Sequence, residues 1–442
     1  MSTRNNRRQF LQSTAAVGIG YWVAGGVQAA PSKSPNEQIA MASIGVAGKG
    51  GSDTADAAKY GNLVAICDVD EKTLDNAAKK YPRAKKFIDF REMLEVMGKS
   101  IDAVTVSTPD HMHAPAALMA MRLGKHCFCQ KPLTRTIYEA RLMAKVAREQ
   151  KVATQMGNQG TAEKGLRQSA ALLRAGAVGA VKEIHVWTNR PIWPQGITRP
   201  APSPCPKHLH WDLWLGVAPV RPYAADPPSK STPAKDLRAY HPFKWRGWWD
   251  FGTGALGDMG CHNVNMTFMG LDLRNPISVQ AETSTNNKDS LPAWSIVTYQ
   301  FAATKARPAL KLFWYDGGKL PSVELCGGAT PGKGGGCLVI GDKGRMFNGS
   351  LSGGAKSLDV KFPESPGHFA EWVRAIKGGE PAMSNFPNYA GPLAETVLLG
   401  NLAIWAGQKV EWDVAAMRST NVKGLESLIK PTYRPGYTLD VC

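Results

Sequence analysis

The run Met41-Ala42-Ser43-Ile44-Gly45-Val46-Ala47, followed by Gly48-Lys49-Gly50-Gly51, constrains this chain more than any other stretch. An apolar strand enters a glycine turn, and a helix is predicted over residues 53–59. A second strand, Leu63-Val64-Ala65-Ile66-Cys67, then carries an acid, Asp68, at its tip. Strand, glycine turn, helix, strand, acid is the order of a dinucleotide-binding βαβ unit. The glycines let backbone N–H groups approach a pyrophosphate at the helix N-terminus. An acid at the second strand's tip accepts hydrogen bonds from the adenosine ribose and repels a 2′-phosphate, which favours NAD over NADP. Counted from Gly48, the fingerprint's third glycine falls on Asp53, so the loop by itself is an incomplete match.

The pattern around this unit extends it. From Ile39 to about Gly157, short apolar strands alternate with predicted helices over 71–80, 90–97, 115–123 and 137–149. That alternation requires a doubly wound parallel sheet, an α/β Rossmann-like domain over 39–160. Ligands of such sheets bind beyond the carboxyl ends of the strands, where Gly48, Asp68, Ser107, Lys131 and Asn158 all fall. A chain of 442 residues exceeds one ordinary core, and after Thr161 its texture changes. Strands predicted near 182–189, 277–284, 295–301, 309–315 and 337–341 are joined by turns, which indicates an α+β domain over 161–410 with an open, mostly antiparallel sheet. Residues 190–250, rich in Pro and Trp, form a long aperiodic stretch of the kind that is functional or wraps a neighbour. Helices over 368–377 and 393–406 are expected to return toward the first domain. Residues 411–442 form a C-terminal extension.

Hydrophobic content of 43% and charged content of 20% describe a globular protein. The net charge of +17 comes from dispersed lysines without a dense basic block, so it is read as solubility charge and no nucleic-acid partner is expected. Residues 1–30 look like an export address: Arg7-Arg8-Gln9-Phe10-Leu11, an apolar run to Val27, and a small-residue cleavage site at Val27-Gln28-Ala29. This resembles a twin-arginine signal, followed by a polar linker over 31–38. It predicts a periplasmic or otherwise exported protein with no stable membrane insertion after signal removal. None of the eight cysteines forms a Cys-x-x-Cys pair, and no acid-histidine set has zinc spacing, so no metal site is expected. Cys326 and Cys337 flank a Gly-rich loop and are the candidate disulfide in an oxidising compartment.

Three motifs together resemble the glucose–fructose oxidoreductase / inositol dehydrogenase / rhizopine-catabolism family, Gfo/Idh/MocA. They are the glycine loop with Asp68, Gln130-Lys131-Pro132, and Asp258-Met259-Gly260-Cys261-His262. The family usually has Glu-Lys-Pro, so Gln130 departs from it. The resemblance implies a cofactor site made by Gly48, Lys49, Gly50, Gly51, Asp68, Ser107, Thr108, Pro109, His113, Gln130, Lys131 and Asn158. It also implies a Lys131–Pro132 peptide that is often cis, and a homodimer or homotetramer built on the open sheet.

The chemistry of these residues is that of hydride transfer from an alcohol, which needs a base for the hydroxyl proton. Asp258 and His262, at i and i+4, share a helix face. Lys131 polarises the reacting oxygen and keeps His262 neutral; His262 is the base; Asp258 orients the imidazole or binds a sugar hydroxyl. Gln159, Arg246 and the indoles Trp187, Trp248 and Trp249 are the candidate carbohydrate contacts, an indole offering a flat face to a pyranose. The expectation is an NAD-dependent oxidoreductase acting on a sugar, glycoside or polyol with a tightly held cofactor, because free NAD is scarce outside the cytoplasm. Two alternatives are an NAD-dependent glycosidase working by transient oxidation and elimination, and a non-catalytic exported sugar-binding protein.

Overall fold

A computed structural model describes residues 38–225, 239–328, 330–437 and 439; the twin-arginine segment and its cleavage site lie outside these residues. The first sheet is built from β1 (Ala40–Ile44), β2 (Asn62–Cys67), β3 (Lys85–Phe87), β4 (Ala103–Val106), β5 (His126–Cys129) and β6 (Thr154–Met156), all parallel, in the order β3-β2-β1-β4-β5-β6. Its central strands β1 and β4 are buried and mainly apolar because helices cover both faces. Their two polar side chains satisfy one another, with Thr105 Oγ1 donating to Ser43 Oγ at 2.9 Å.

The crossover helices start where sequence chemistry says they should. Asp70 caps α2 (Glu71–Lys80) by accepting the N–H groups of Lys72 and Thr73, and Asp89 caps α3 (Phe90–Met97). Thr136 and Glu139 form a capping box on α5 (Ile137–Glu149). The strand order reverses between β1 and β4, and the crevice at that reversal is where a doubly wound sheet takes its ligand. The remaining helices of this half are α1 (Lys49–Tyr60) and α4 (His113–Arg122).

The second sheet has nine strands: β7 (Val181–Thr188), β8 (Ser278–Thr283), β9 (Ser295–Phe301), β10 (Leu310–Tyr315), β11 (Gly335–Gly341), β12 (Gly344–Phe347), β13 (Ser350–Gly353), β14 (Val410–Asp413) and β15 (Arg418–Ser419). Only β7 and β10 pair parallel; the other neighbours are antiparallel. The short strands β3, β12, β13 and β15, at or next to a sheet edge, carry little apolar alternation, which is why the sequence pattern does not announce them.

Helices α6 (Lys164–Arg174), α8 (Gly254–Asn263), α9 (Asn265–Leu271) and α11 (Gly391–Ala406) belong to this half, α7 (Trp211–Leu215) being a short turn of the long stretch before it. Helix α11 is buried all round, packing on α5 of the first half as well as on α8, β8 and β9. The helix α10 (His368–Ile376) also returns to the first half, where Phe369 and Trp372 pack on Phe128 and Trp372 Nε1 donates to Ala153 O at 3.0 Å. Cys326 and Cys337, the candidate pair, are free thiols, and Cys337 is buried in β11. Among the described residues no helix is long and apolar enough to cross a membrane.

Candidate active site

The glycine loop begins earlier than a count from Gly48 suggests. β1 ends at Ile44, and Gly45 turns the chain with φ of +79°, its N–H bonded to Cys67 O at 2.8 Å. A Cβ on Gly45 would lie 2.6 Å from Ser107 O, and one on Gly50 would lie 2.1 Å from Gly45 O. The fingerprint is therefore Gly45-Val46-Ala47-Gly48-Lys49-Gly50, with Ala47 in the second glycine's place and Gly50 as the third. Asp53 was never its third position. Helix α1 accordingly starts at Lys49, ahead of the predicted 53–59. Gly48 leads into it with no side-chain cap, which leaves the first-turn N–H groups for an anion. Gly51 lies on the helix outside the crevice lining. The missed residues, Gly45 and Ala47, were signalled by the end of the apolar strand.

Asp68 stands where expected, at the end of β2, and lines the crevice. Its two oxygens accept the N–H groups of Val46 and Asp70, both at 3.0 Å, and burial raises its carboxyl pKa. The glycine loop and the β2 turn are thus tied together through Asp68.

Asp53 has a different job. It is 1% exposed and holds three groups: Lys49 Nζ at 2.6 Å, Ser107 Oγ at 2.7 Å and Gln130 Nε2 at 2.8 Å. These contacts join α1 to the turns after β4 and β5. They also account for Gln130, since an amide donates to a buried carboxylate where a second carboxylate would repel it. Gln159, its amide oriented by its neighbours, donates to Gly157 O at 2.8 Å and accepts from Lys49 Nζ at 3.0 Å.

His113 lies in the crevice wall, but both ring nitrogens face backbone oxygens, Pro132 O and Thr108 O, each at 2.8 Å. Burial lowers its pKa to about 4, so one nitrogen donates and the ring ties the β4 turn to the β5 turn. It is thereby occupied by the backbone instead of offering a nitrogen to a cofactor. Asn158 is fully buried, with Oδ1 accepting from Ser384 Oγ at 2.6 Å, and does not line the crevice. Ser107, Thr108 and Pro109 do line it, and the Thr108 hydroxyl is buried without a partner in this structure.

Lys131 extends from the end of β5, across a cis Lys131–Pro132 bond, to helix α8 of the other half. Its ammonium donates to Asp258 Oδ1 at 2.8 Å and to Asp258 O at 2.9 Å. Arg246 Nε approaches the same Oδ1 at 3.2 Å. Burial works to raise the Asp258 carboxyl, but Lys131 and Arg246 outweigh it and the pKa is lowered. Asp258 is therefore held by two cations, and no hydrogen bond joins it to His262 as the i, i+4 spacing suggested.

The His262 ring lines the crevice with no hydrogen bond to the described residues, and burial, then Lys131, lowers its pKa to about 3. It is neutral at pH 7 and able to accept a proton. Asp110, which sequence reasoning left without a role, accepts from Thr253 Oγ1 at 2.7 Å, and burial raises it to about 7.

One cavity of about 950 Å³ runs from Asp68 and Asp89 to Asp258 and His262. Its indoles are Trp193, Trp214 and Trp245, not the expected Trp187, Trp248 and Trp249. Trp187 is buried in the second sheet, donating to Gly332 O at 2.8 Å. Trp248 donates to Ala239 O at 2.8 Å inside an aromatic cluster, and Trp249 packs on Trp405. Arg246 does face the cavity, its guanidinium 4.2 Å from the Trp245 ring and 4.6 Å from Phe243.

A glycine turn at the switch point of a parallel sheet, opposite a lysine and a histidine brought from two halves, defines a nucleotide-binding protein of the two-domain oxidoreductase class. The chain belongs to the Gfo/Idh/MocA family. Residues 39–158 match "Oxidoreductase family, NAD-binding Rossmann fold" and residues 176–307 match "Oxidoreductase family, C-terminal alpha/beta domain". It is 27% identical over 125 residues to inositol 2-dehydrogenase of Salmonella typhimurium, a match spanning 28% of this chain and 37% of that protein. It is 36% identical over 106 residues to glycosyl hydrolase family 109 protein 1 of a Shewanella species, covering 22% of this chain and 23% of that one. The fold is that of the WlbA dehydrogenase from Bordetella pertussis in complex with NADH and UDP-GlcNAcA, with a TM-score of 0.58 at 16% identity over 85% of this chain and 99% of that one.

Proposed function

We propose that this chain is an exported NAD-dependent oxidoreductase acting on a hydroxyl of a sugar, glycoside or polyol, with its nucleotide retained through the reaction cycle. The observation that carries the reading is the Lys131–Asp258 contact at 2.8 Å beside a neutral His262 with no hydrogen bond to the described residues, in the crevice that starts at the glycine loop. The residues present fit a dinucleotide. Gly45 and Gly50 leave no room for a Cβ, α1 opens uncapped into the crevice, and Asp68 marks the ribose. NAD would supply the hydride acceptor when bound.

The chain's own residues do the rest. Lys131 donates a hydrogen bond to the substrate oxygen and stabilises charge developing on it. His262 takes the hydroxyl proton. Asp258 holds Lys131 and Arg246 in place, while Trp193 and Trp245 line the cavity wall and back the Arg246 guanidinium. The acids Asp68 and Asp70 favour NAD over NADP.

A second reading has one observation of its own, the similarity to a protein named as a glycosyl hydrolase. In that reading, transient oxidation acidifies a neighbouring C–H and the aglycone is eliminated. Glycoside turnover without added NAD, with solvent deuterium entering the sugar, would favour it over net dehydrogenation. The export address at Arg7-Arg8 supports a periplasmic location. Ile296, Phe313, Ile340 and Phe347 on the second sheet's far face support a homodimer or homotetramer.

The primary test is Lys131→Met in the purified protein, with nucleotide measured after denaturation. The expected result is NAD(H) still bound and turnover lower by roughly a thousandfold or more. Unchanged turnover would remove Lys131 from the reaction.

A further inference from the structure

We propose that residues 205–215, with His241, form a latch over the adenosine end of the crevice, so that NAD leaves only when the latch opens. This rests on the NAD reading above. In a sheet of this order the ribose sits at the tip of β2 and the adenosine pocket lies beyond the strand ends. Here a segment of the second half is stitched onto that tip. Glu71 N–H donates to His208 O at 2.9 Å, His210 N–H donates to Val69 O at 3.0 Å, and Asp70 and Leu209 form an antiparallel bridge.

Side chains repeat the attachment. His208 Nδ1 and His241 Nε2 each lie 2.9 Å from a different oxygen of Asp70, and His210 Nε2 lies 2.8 Å from Glu71 Oε1. Asp70 is buried, and against the upward push of burial its histidine partners lower its pKa to about 2.

The latch is a packed unit and not a free loop. Trp211 stacks on Trp214 at 4.6 Å between ring centres, and Trp214 meets Phe251 at 4.8 Å. Trp214 O also lies 2.9 Å from His111 Nε2 of the first half. From the C-terminal side, Arg434 Nε donates to Gly216 O and Nη2 donates to Asp212 O, both at 2.8 Å. Trp214, His241 and Tyr437 line the cavity together with Asp89 and Phe90, and Phe90 packs beside Tyr437.

The two histidines can be removed without touching the helix cap, because Asp70 Oδ1 also accepts the Lys72 N–H at 3.0 Å. The experiment loads the full chain with radiolabelled NAD, removes free label by gel filtration, and chases with excess unlabelled NAD. Wild type should keep its label for hours. His208→Ala/His241→Ala, which loses two hydrogen bonds to a carboxylate, should release it about a hundredfold faster or more. His208→Asn/His241→Gln, which keep N–H donors, should fall between.

Label lost from wild type within the mixing time overturns the latch. So does a double variant that melts lower yet releases label at the wild-type rate, the signature of a purely structural role. Arg434→Ala is the second variant if the double one does not fold, with faster release again expected and an unchanged rate again overturning the proposal. Failure of the NAD reading itself has a different signature: no form retains label, and added NAD raises no melting temperature.

Discussion

Gln130→Glu restores the acid usual in the resembling family, and the structure says it should be damaging here. Gln130 and Asp53 are both buried, and Gln130 Nε2 lies 2.8 Å from Asp53 Oδ2. Two carboxylates at that separation repel by about 6 kcal/mol at an effective dielectric of about 20. Taking up a proton is the cheaper route. Starting from a reference glutamate pKa of about 4.3, keeping the new carboxyl protonated at pH 7 costs about 3–4 kcal/mol, and at pH 5 about 1 kcal/mol.

The protonated form still donates to Asp53, so the packing and the hydrogen bond survive, and Lys49 Nζ at 2.6 Å softens the cost somewhat. The introduced group has a folded-state pKa above its unfolded value. The variant should therefore match wild type below about pH 4 and lose stability as pH rises toward the folded pKa. Urea unfolding at pH 5 and pH 7 reads this directly, and a loss of 3–4 kcal/mol is large against a total of about 5–15 kcal/mol. Asp53→Asn/Gln130→Glu, with the amide and carboxylate exchanged, should recover most of it. A loss equal at both pH values would mean a packing defect, and no loss at all would mean that Asp53 and Gln130 do not touch; either result refutes the reasoning.

Three further outcomes are expected. Gly50→Ala, which places a Cβ 2.1 Å from Gly45 O, should destabilise by about 1–3 kcal/mol or more and abolish NADH fluorescence enhancement, whereas Gly165→Ala, with open space around it, should be neutral or slightly stabilising by thermal melting. With His262 held near 3, the acid limb of kcat/KM should lie well below the ordinary histidine range; a limb at 6–7 that survives Asp110→Asn would contradict that environment. Asp110, raised to about 7 by burial, contributes stability that is present in acid and lost as pH rises through 7, while the buried neutral histidines His113 and His262 work the other way below about pH 6.5; the stability of wild type minus that of Asp110→Asn should therefore be larger at pH 5 than at pH 8.

Much of the first half was legible because strand and helix periods are local. Glu71–Lys80, Phe90–Met97 and Ile137–Glu149 occupy their predicted spans, each opening on a side-chain cap. Lys131, Asp258 and His262 were legible as motif positions, and the fold brings all three to one crevice. The indoles were not, because a tryptophan's hydrophobicity does not say which side of a layer it faces. Trp187 sits on the second sheet and Trp248 inside the 190–250 cluster, while Trp193, Trp214 and Trp245, equally unremarkable in sequence, reach the cavity.

By itself the chain determined its parallel sheet, the glycine turn at β1 and the acid at β2, since these follow from nearest-neighbour sterics and burial along short segments. Only the tertiary structure decided which indoles reach the cavity, why residue 130 is an amide, and that Asp258 answers to Lys131 and Arg246 instead of His262. Those outcomes depend on side chains far apart in sequence meeting where water is excluded, and there an unpaired or like charge costs more than local preference can repay.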